Sequence, residues 1–242
     1  MSKHKVTTTL FDDHYANTGP ISEIIRNRIK DAGVRYHGND NISDYIKDGE
    51  IESLIDEAVP KLESLFETLV IDIENDWNMK ETARRVAKMM FTEVYSGRYL
   101  QPPKMTNFPN DGYQSLYTTS GITIRSQCSH HLQNITGTCW VGIFPEGRVI
   151  GLSKFNRIVH WLASRPSIQE ELTTMVAKAL VDYAETPNVA VVIKAKHGCM
   201  SMRGVKEPCG EMSTAVMLGK FQTDPSLKDE FYKLIGFSHK DV

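Results

Sequence analysis

The chain has 242 residues, of which 28 are Lys or Arg and 30 are Asp or Glu, so its formal net charge at pH 7 is −2. That near balance excludes a polybasic protein that coats nucleic acid and an acidic disordered protein. Hydrophobic residues make up 40% of the chain, as in ordinary globular proteins, and no segment approaches the roughly 18 continuous apolar residues of a membrane span.

The first 50 residues are mixed and polar. They contain no apolar segment followed by a small-residue cleavage site, so no signal peptide is predicted, and the small number of cysteines suggests a reduced, cytoplasmic protein. Residues 21–29 predict a short helix that is broken from Gly33 onward. We expect residues 1–50 to be an N-terminal extension, flexible or in contact with another subunit, ahead of a main domain at 51–242.

Two helices are predicted after this extension. Apolar residues recur every three or four positions over residues 51–69, which predicts an amphipathic helix that Pro60 either kinks or divides. A second helix is predicted to begin at Asn78, an N-cap residue with Glu81 three positions later, and to end before Gly97.

A proline-containing loop follows, and from residue 115 onward strands and helices alternate in a regular order. The predicted strands are 122–128, 135–144, 189–195 and 212–218, and the predicted helices are 153–163, 167–184 and 225–235. Ser153 and Ser167 are the predicted N-caps of the two central helices. The order of strand, strand, helix, helix, strand, strand indicates an α+β fold, with an antiparallel sheet covered by helices on one face.

A candidate metal site lies at the ends of two predicted strands. Cys128 and His131 follow the first strand, and Cys199 follows the third. Thiolate and imidazole are ligands that zinc favours, and three protein ligands leave one position for water, as in catalytic zinc sites. The alternative is a buried cysteine beside ordinary histidines. It would be favoured for a single Cys-x-x-His pair, but a second, matching pair after another strand makes it less favoured. Cys139 is predicted to fill the core, and Cys209 remains an alternative ligand.

Two histidines, His130 and His197, flank the proposed ligands without being required for the metal. A histidine suits proton transfer near neutral pH, and a packed, structural histidine is the alternative. Lys154 and Arg157 lie on one face of a helix start, which suits phosphate binding, although a solvated basic face is the favoured explanation of these residues taken alone. Arg203 follows Cys199 closely and adds to either interpretation.

The pair Gln169 and Glu170 also has two interpretations. Ser167 followed by Glu170 forms a capping box, which alone explains the glutamate and is favoured by the residues considered singly. An amide beside a carboxylate is also able to hydrogen-bond the donor-rich edge of a purine such as guanine.

Taken together, these segments resemble the GTP cyclohydrolase I family from about residue 54 to residue 237. The segments are ETARRVAKM, SQCSHH, VIGLSKFNRIV, RPSIQEELT, NVAVVIKAKHGCMSMRGV and MSTAVMLGKF. The resemblance implies the tunnelling fold, in which five subunits close their sheets into a β-barrel ring and two rings stack into a homodecamer. Residues 51–242 would then be the catalytic domain.

The resemblance also implies a role for each candidate residue. Cys128, His131 and Cys199 would bind Zn²⁺, and His130 and His197 would be catalytic. The residues that would hold ribose and triphosphate are Ser153, Lys154, Arg157 and Arg203, with Arg85 reaching in from a neighbouring subunit. Gln169 and Glu170 would anchor guanine, which reverses the preference for a simple cap.

The implied reaction is hydrolysis of the imidazole ring of GTP at C8 by zinc-activated water, with a histidine protonating N7. Formate leaves, and rearrangement and ring closure give 7,8-dihydroneopterin triphosphate for tetrahydrofolate and one-carbon metabolism or for 7-deazaguanine synthesis. No organic cofactor is implied, and the partners expected are a purine nucleoside triphosphate and further copies of the chain.

Two positions depart from the family pattern: Ser129 stands where the family usually has Glu, and Ala83 stands where it often has Pro. Loss of the carboxylate beside the metal leaves two alternatives open. One is a divergent enzyme that acts on another purine nucleotide or stops at the ring-opened formamidopyrimidine, and the other is a non-catalytic ring that binds nucleotide.

Overall fold

The computed structural model describes residues 19–237, apart from the side chain of Ser120. The helices are α1 (Ile21–Asp31), α2 (Glu50–Thr68), α3 (Thr82–Met89), α4 (Ser96–Tyr99), α5 (Leu152–Ala163), α6 (Gln169–Ala184), α7 (Gly198–Ser201), α8 (Lys220–Thr223) and α9 (Pro225–Leu234). The strands are β1 (Asn107–Pro109), β2 (Tyr117–Cys128), β3 (Asn134–Ile143), β4 (Arg148–Ile150), β5 (Pro166–Ser167), β6 (Val189–His197) and β7 (Met212–Met217). Within residues 19–237, no helix has both the length and the apolar character that crossing a membrane requires.

The main sheet has the order β5-β2-β3-β6-β7. The pairs β2–β3, β3–β6 and β6–β7 are antiparallel, and the short β5 lies parallel to the end of β2. This arrangement confirms the predicted α+β class and the four predicted strands. The sequence missed β1 and its pairing with β4, because a three-residue strand carries too little periodicity to detect.

Helices α5 and α6 cover one face of the sheet. The main core forms there, and its fully buried members include Ile124 of β2, Ile158 of α5 and Leu172 of α6. The prediction that helices cover one face only was wrong, because α8 and α9 lie on part of the opposite face. Val192 of β6 packs there with Phe231 of α9, whereas Val191 and Ile193 face the main core.

The N-terminal helices form a smaller packed unit. The predicted short helix is confirmed as α1, which packs on α2 through a cluster of Ile25, Ile29, Ile42 and Leu54. Residues 1–18 of the predicted extension lie outside the described residues.

The predicted second helix begins later than expected. Helix α3 begins at Thr82, because the backbone N–H of Asn78 bonds the carboxylate of Asp76 in a preceding turn rather than starting a helix. It continues into a π-helical turn over Met90–Val94. Helix α2, in contrast, runs without interruption through Pro60.

Candidate metal centre and catalytic site

The candidate metal centre lies where β2 and β6 end, on either side of β3. Cys128 is the last residue of β2, and the backbone bonds from Cys128 N to Gln133 O (2.9 Å) and from Leu132 N to Cys128 O (2.8 Å) close a tight turn after it. Cys199 lies in the first turn of α7, directly after β6. Since β3 pairs with both strands, these two ends are brought together.

Three side chains converge there, as predicted from the sequence. The donor atoms of Cys128, His131 and Cys199 all lie within 4.8 Å of one another, with Cys128 buried, Cys199 half-buried and His131 exposed. With Zn–S bonds of about 2.3 Å and Zn–N bonds of about 2.0 Å, the ligand atoms of a tetrahedral ion lie roughly 3.5–3.8 Å apart, so small side-chain rotations complete the group. This donor set fits zinc and is open to solvent on the His131 side.

The other two cysteines lie outside this group. Cys139 is fully buried in the main core, where burial raises the pKa of its thiol above the usual range. Cys209 is exposed. The core role predicted for Cys139 is confirmed, and the described group has no ligand from Cys209.

Both candidate catalytic histidines adjoin the Cys128–His131–Cys199 group. His130 Nδ1 lies 3.9 Å from Cys128 Sγ, and His130 itself is exposed. His197, the last residue of β6, is half-buried. Burial lowers the pKa of His197, and the nearby carboxylate of Glu170 opposes that effect. The two histidines therefore lie in different environments, one in solvent and one partly withdrawn from it.

Gln169 and Glu170, at the start of α6, differ in their exposure to solvent. Gln169 is fully buried, and its Oε1 lies 2.8 Å from His197 Nε2. Glu170 is exposed. The predicted capping box was wrong: Ile168 is the N-cap of α6, and Ser167 belongs to β5, where its hydroxyl donates to Ile168 O. Glu170 is therefore free of a capping role.

The candidate phosphate-binding residues lie at the start of α5. Gly151 is its N-cap, so Ser153 lies inside the first turn, and the prediction that Ser153 caps the helix was wrong. Both Ser153 and Arg157 are exposed, and Lys154 is half-buried. No acidic residue occupies this first turn, which leaves its positive end without a counter-charge from the helix itself.

The two ends of α5 lie in different parts of the molecule. At its start, Phe155 packs against Tyr117, at the beginning of β2, with ring centroids 6.2 Å apart. Just past its end, Arg165 O accepts a bond from Ser126, near the end of β2 and the metal ligands. Because α5 has 12 residues, its two ends lie about 18 Å apart. The structure therefore places Ser153 and Lys154 at the end of α5 away from the metal group of the same chain, with Arg157 near the middle of the helix.

The remaining basic candidates, Arg203 and Arg85, are both exposed. Arg203 lies close to the metal group: burial raises the pKa of the Cys199 thiol, and the positive charge of Arg203 partly offsets that effect. Arg85 lies on α3, which packs against α2, and the adjacent Arg84 forms ion pairs with Glu52 and Asp56 of α2.

A cavity of about 450 Å³ opens at the edge of β2, and none of the predicted site residues lines it. Its lining includes Arg125, Gln127, His160 and Ser164. No motif in the sequence indicates this cavity, because its walls come from β2, β3, α5 and the π-helical turn.

The chain is similar to known proteins over most of its length. A sequence profile of the family described as GTP cyclohydrolase I matches residues 59–236. A protein named GTP cyclohydrolase 1 from Photobacterium profundum is 39% identical over 173 residues, which cover 71% of this chain and 79% of that protein. The protein of the same name from Flavobacterium johnsoniae is 37% identical over 207 residues, covering 82% and 91%. That from Dehalococcoides mccartyi is 39% identical over 160 residues, covering 65% and 84%.

Proposed function

Because the chain belongs to the GTP cyclohydrolase I family and is an enzyme of that type, we propose that it opens the imidazole ring of GTP at C8. The products would be formate and 7,8-dihydroneopterin triphosphate, which feeds pterin and folate or 7-deazaguanine synthesis. The observation that carries this proposal is the Cys128–His131–Cys199 group with His130 and His197 beside it. Such an arrangement combines a site for hydrolytic water with groups that transfer protons.

The metal ligands would be Cys128, His131 and Cys199. Two thiolates and one imidazole favour zinc over the hard cations magnesium and calcium. A bound zinc ion lowers the pKa of its water to about 7 and so supplies a nucleophile at neutral pH. Thiolate ligands persist in a reducing compartment, which supports placing the enzyme in the cytoplasm.

The protein groups would bind the base and move protons. Either His197 or His130 would protonate N7 as the ring opens. The exposed carboxylate of Glu170 would accept hydrogen bonds from the N1–H and the exocyclic amino group of guanine. The side chain of Gln169, which was also expected to contact guanine, is fully buried, so the base contact falls to Glu170.

The triphosphate would bind at the first turn of α5. Ser153, Lys154 and Arg157 offer a hydroxyl and two cations at a helix N-terminus, which is a favourable place for phosphate oxygens. Arg203 and Arg85 would add further positive charge.

The active site would be shared between copies of the chain. Ser153 and Lys154 lie at one end of α5, the metal group of the same chain lies near the other, and the two ends of this helix are about 18 Å apart. A neighbouring copy that presents its α5 start to this metal group would complete the site. We therefore propose a homo-oligomer, and the decamer of two five-membered barrel rings in the tunnelling fold agrees with a sheet in which, over residues 19–237, β7 pairs only with β6.

The direct test is to incubate zinc-loaded protein with GTP and to measure formate and a fluorescent oxidised pterin. Release of both is expected. If the protein contains one zinc per chain and yields neither product, the proposal is wrong.

A second candidate rests on Ser129, an exposed residue between two site residues where the family usually has a glutamate. The enzyme would then prefer another purine nucleotide, such as a deoxyguanosine triphosphate, or would stop at the formamidopyrimidine. Mass spectrometry of the products across a nucleotide panel distinguishes these outcomes. Equal pterin yield from GTP before and after Ser129→Glu would contradict the second candidate, and tight GTP binding without turnover would favour a non-catalytic ring.

A further inference from the structure

Gln169 combines complete burial with direct contact to a candidate catalytic residue. It is the first residue of α6, is 0% exposed and reaches the β6–β7 pair. Its Nε2 lies 3.0 Å from Ile193 O and 2.9 Å from Met212 O. Backbone carbonyl oxygens only accept hydrogen bonds, so the atom that faces them must be the NH₂ group of the amide. The chemistry of the neighbours therefore fixes the orientation of this amide.

This orientation determines which hydrogen the histidine carries. With its NH₂ group turned to the two carbonyls, Gln169 presents Oε1 to His197 Nε2 at 2.8 Å. An amide oxygen only accepts, so the hydrogen in this bond must sit on His197 Nε2. A neutral imidazole has a single N–H, which leaves Nδ1 as an acceptor. Within residues 19–237, Nδ1 of His197 has no hydrogen-bond partner, so it is the nitrogen available to a bound nucleotide.

Two buried or half-buried hydroxyls hold Gln169 in place. Thr173, one turn further along α6, donates to Gln169 O at 2.7 Å. Its hydroxyl also lies 2.6 Å from that of Thr214 on β7, which in turn lies 3.0 Å from Gln169 Nε2. Each hydrogen-bonding atom of the Gln169 side chain thus has a partner inside the chain. A buried polar network in which every member is satisfied is rigid, since breaking any bond leaves a desolvated group without a partner.

We infer that Gln169 is a positioning residue that acts through His197 rather than a residue that binds the purine. It would orient the imidazole ring and hold the proton on Nε2, so that Nδ1 is the nitrogen that exchanges a proton with the substrate. This inference rests on the proposed function for its catalytic consequence. The Nε2–H form of His197 is expected whether or not the protein converts GTP.

The first test therefore needs neither a substrate nor a variant of Gln169. Full-length, zinc-loaded protein labelled with ¹⁵N-histidine is examined by NMR at pH 8, and the His197 signals are assigned by their loss in His197→Gln. Two-bond ¹H–¹⁵N couplings identify the protonated nitrogen. The expected result is a neutral ring with the proton on Nε2, and a proton on Nδ1 overturns the inference even if GTP is turned over. If the protein fails to convert GTP but shows the Nε2–H form, the proposed function fails and the placement by Gln169 stands.

The second test separates positioning from base binding. In Gln169→Met a side chain of similar length loses both the bond to His197 and the bonds to β6 and β7. We expect kcat to fall at least tenfold, with KM for GTP within threefold of its starting value, because proton transfer is impaired and the base contact is not. The matched control is Thr174→Val, which removes a hydroxyl from the same turn of α6 that bonds only Glu170 O, and whose kcat and KM are expected to stay unchanged. A tenfold rise in KM with kcat retained, or no change in either constant, contradicts the inference. If Gln169→Met does not fold, the NMR measurement on the unmodified chain decides.

Discussion

The guanidinium of Arg165 lies over the indole ring of Trp161, with its central carbon 3.9 Å from the ring centroid. Arg165 is only 5% exposed, and its Nη1 donates to Asn39 O at 3.0 Å. Burial lowers the pKa of Arg165 to about 10, partly opposed by the carboxylate of Asp40. This contact joins the segment before α2 to the end of α5, immediately ahead of the strand β5 that pairs with Cys128.

Loss of this contact is expected to destabilise the whole chain. Arg165→Ala removes the stacking on Trp161, the bond to Asn39 O and much buried side-chain area, so the free energy of unfolding is expected to fall by about 2–3 kcal/mol. Urea unfolding measures the change. The matched control is Arg26→Ala, which removes an exposed arginine of α1 and is expected to change stability by less than about 0.5 kcal/mol. If both substitutions lowered the free energy of unfolding equally, the stacking of Arg165 on Trp161 would contribute nothing to stability.

The contact between α1 and α2 is expected to weaken in acid. The Glu57 carboxylate accepts bonds from Ser22 N at 2.9 Å and Ser22 Oγ at 2.6 Å. Burial alone would raise the pKa of Glu57, but the bonds from Lys61 and Ser22 outweigh it and lower that pKa to about 2. Since the folded-state pKa is depressed, the stabilisation is present above the unfolded-state pKa of about 4.5 and is lost as the pH falls toward 2.

The variant that checks this dependence is Glu57→Gln. Because Lys61 is largely exposed, solvent screening reduces the contribution to about 1–2 kcal/mol. The difference in unfolding free energy between wild type and variant is expected to be largest at pH 6 and to shrink between pH 4.5 and pH 2. A difference that is independent of pH over this range would show that the charge of Glu57 is not involved.

Removal of one metal ligand is expected to abolish zinc binding while leaving most of the fold. Cys199→Ser or His131→Ala leaves only two of the three donors that lie within 4.8 Å of one another, so zinc content is expected to fall below about a tenth of one ion per chain. Formate release from GTP is expected to fall with it. Cys209→Ser, which removes an exposed cysteine outside the group, is the control and should keep full zinc content. Full occupancy in Cys199→Ser would refute the ligand assignment.

A shared active site predicts complementation between two inactive chains. His197→Ala damages the metal end of the site, at the end of β6, and Lys154→Ala damages the phosphate end, at the start of α5. If the two variants are unfolded, mixed in equal amounts and refolded together, about one quarter of the sites would receive both intact halves by random assembly, and about that share of activity should return. Lys154→Ala mixed with Arg157→Ala damages the same end twice and should restore nothing. Equal recovery from both mixtures would contradict the shared site.

The sequence predicted the parts of the site that depend on strand ends and ligand chemistry. Cys128 and Cys199 were identified because each follows a strand whose periodicity is visible, and zinc favours their residue types. The role of Gln169 was not visible, because its partner Thr214 lies 45 residues away on another strand. The capping interpretation of Ser167 failed for a related reason: pairing with β2 holds Ser167 in a strand, and local propensity alone could not reveal that tertiary contact.

Because the candidate residues are divided between the two ends of α5, each working active site of the proposed assembly would lie between two neighbouring chains. Each contact between neighbouring chains would form one working site, so the number of sites would equal the number of chains only when the ring is closed. An open or broken ring leaves one unused half-site at each end, so its activity per chain is lower although every chain is correctly folded and loaded with zinc. Specific activity would thus report the fraction of closed rings. It would fall on dilution to the concentration at which the rings dissociate.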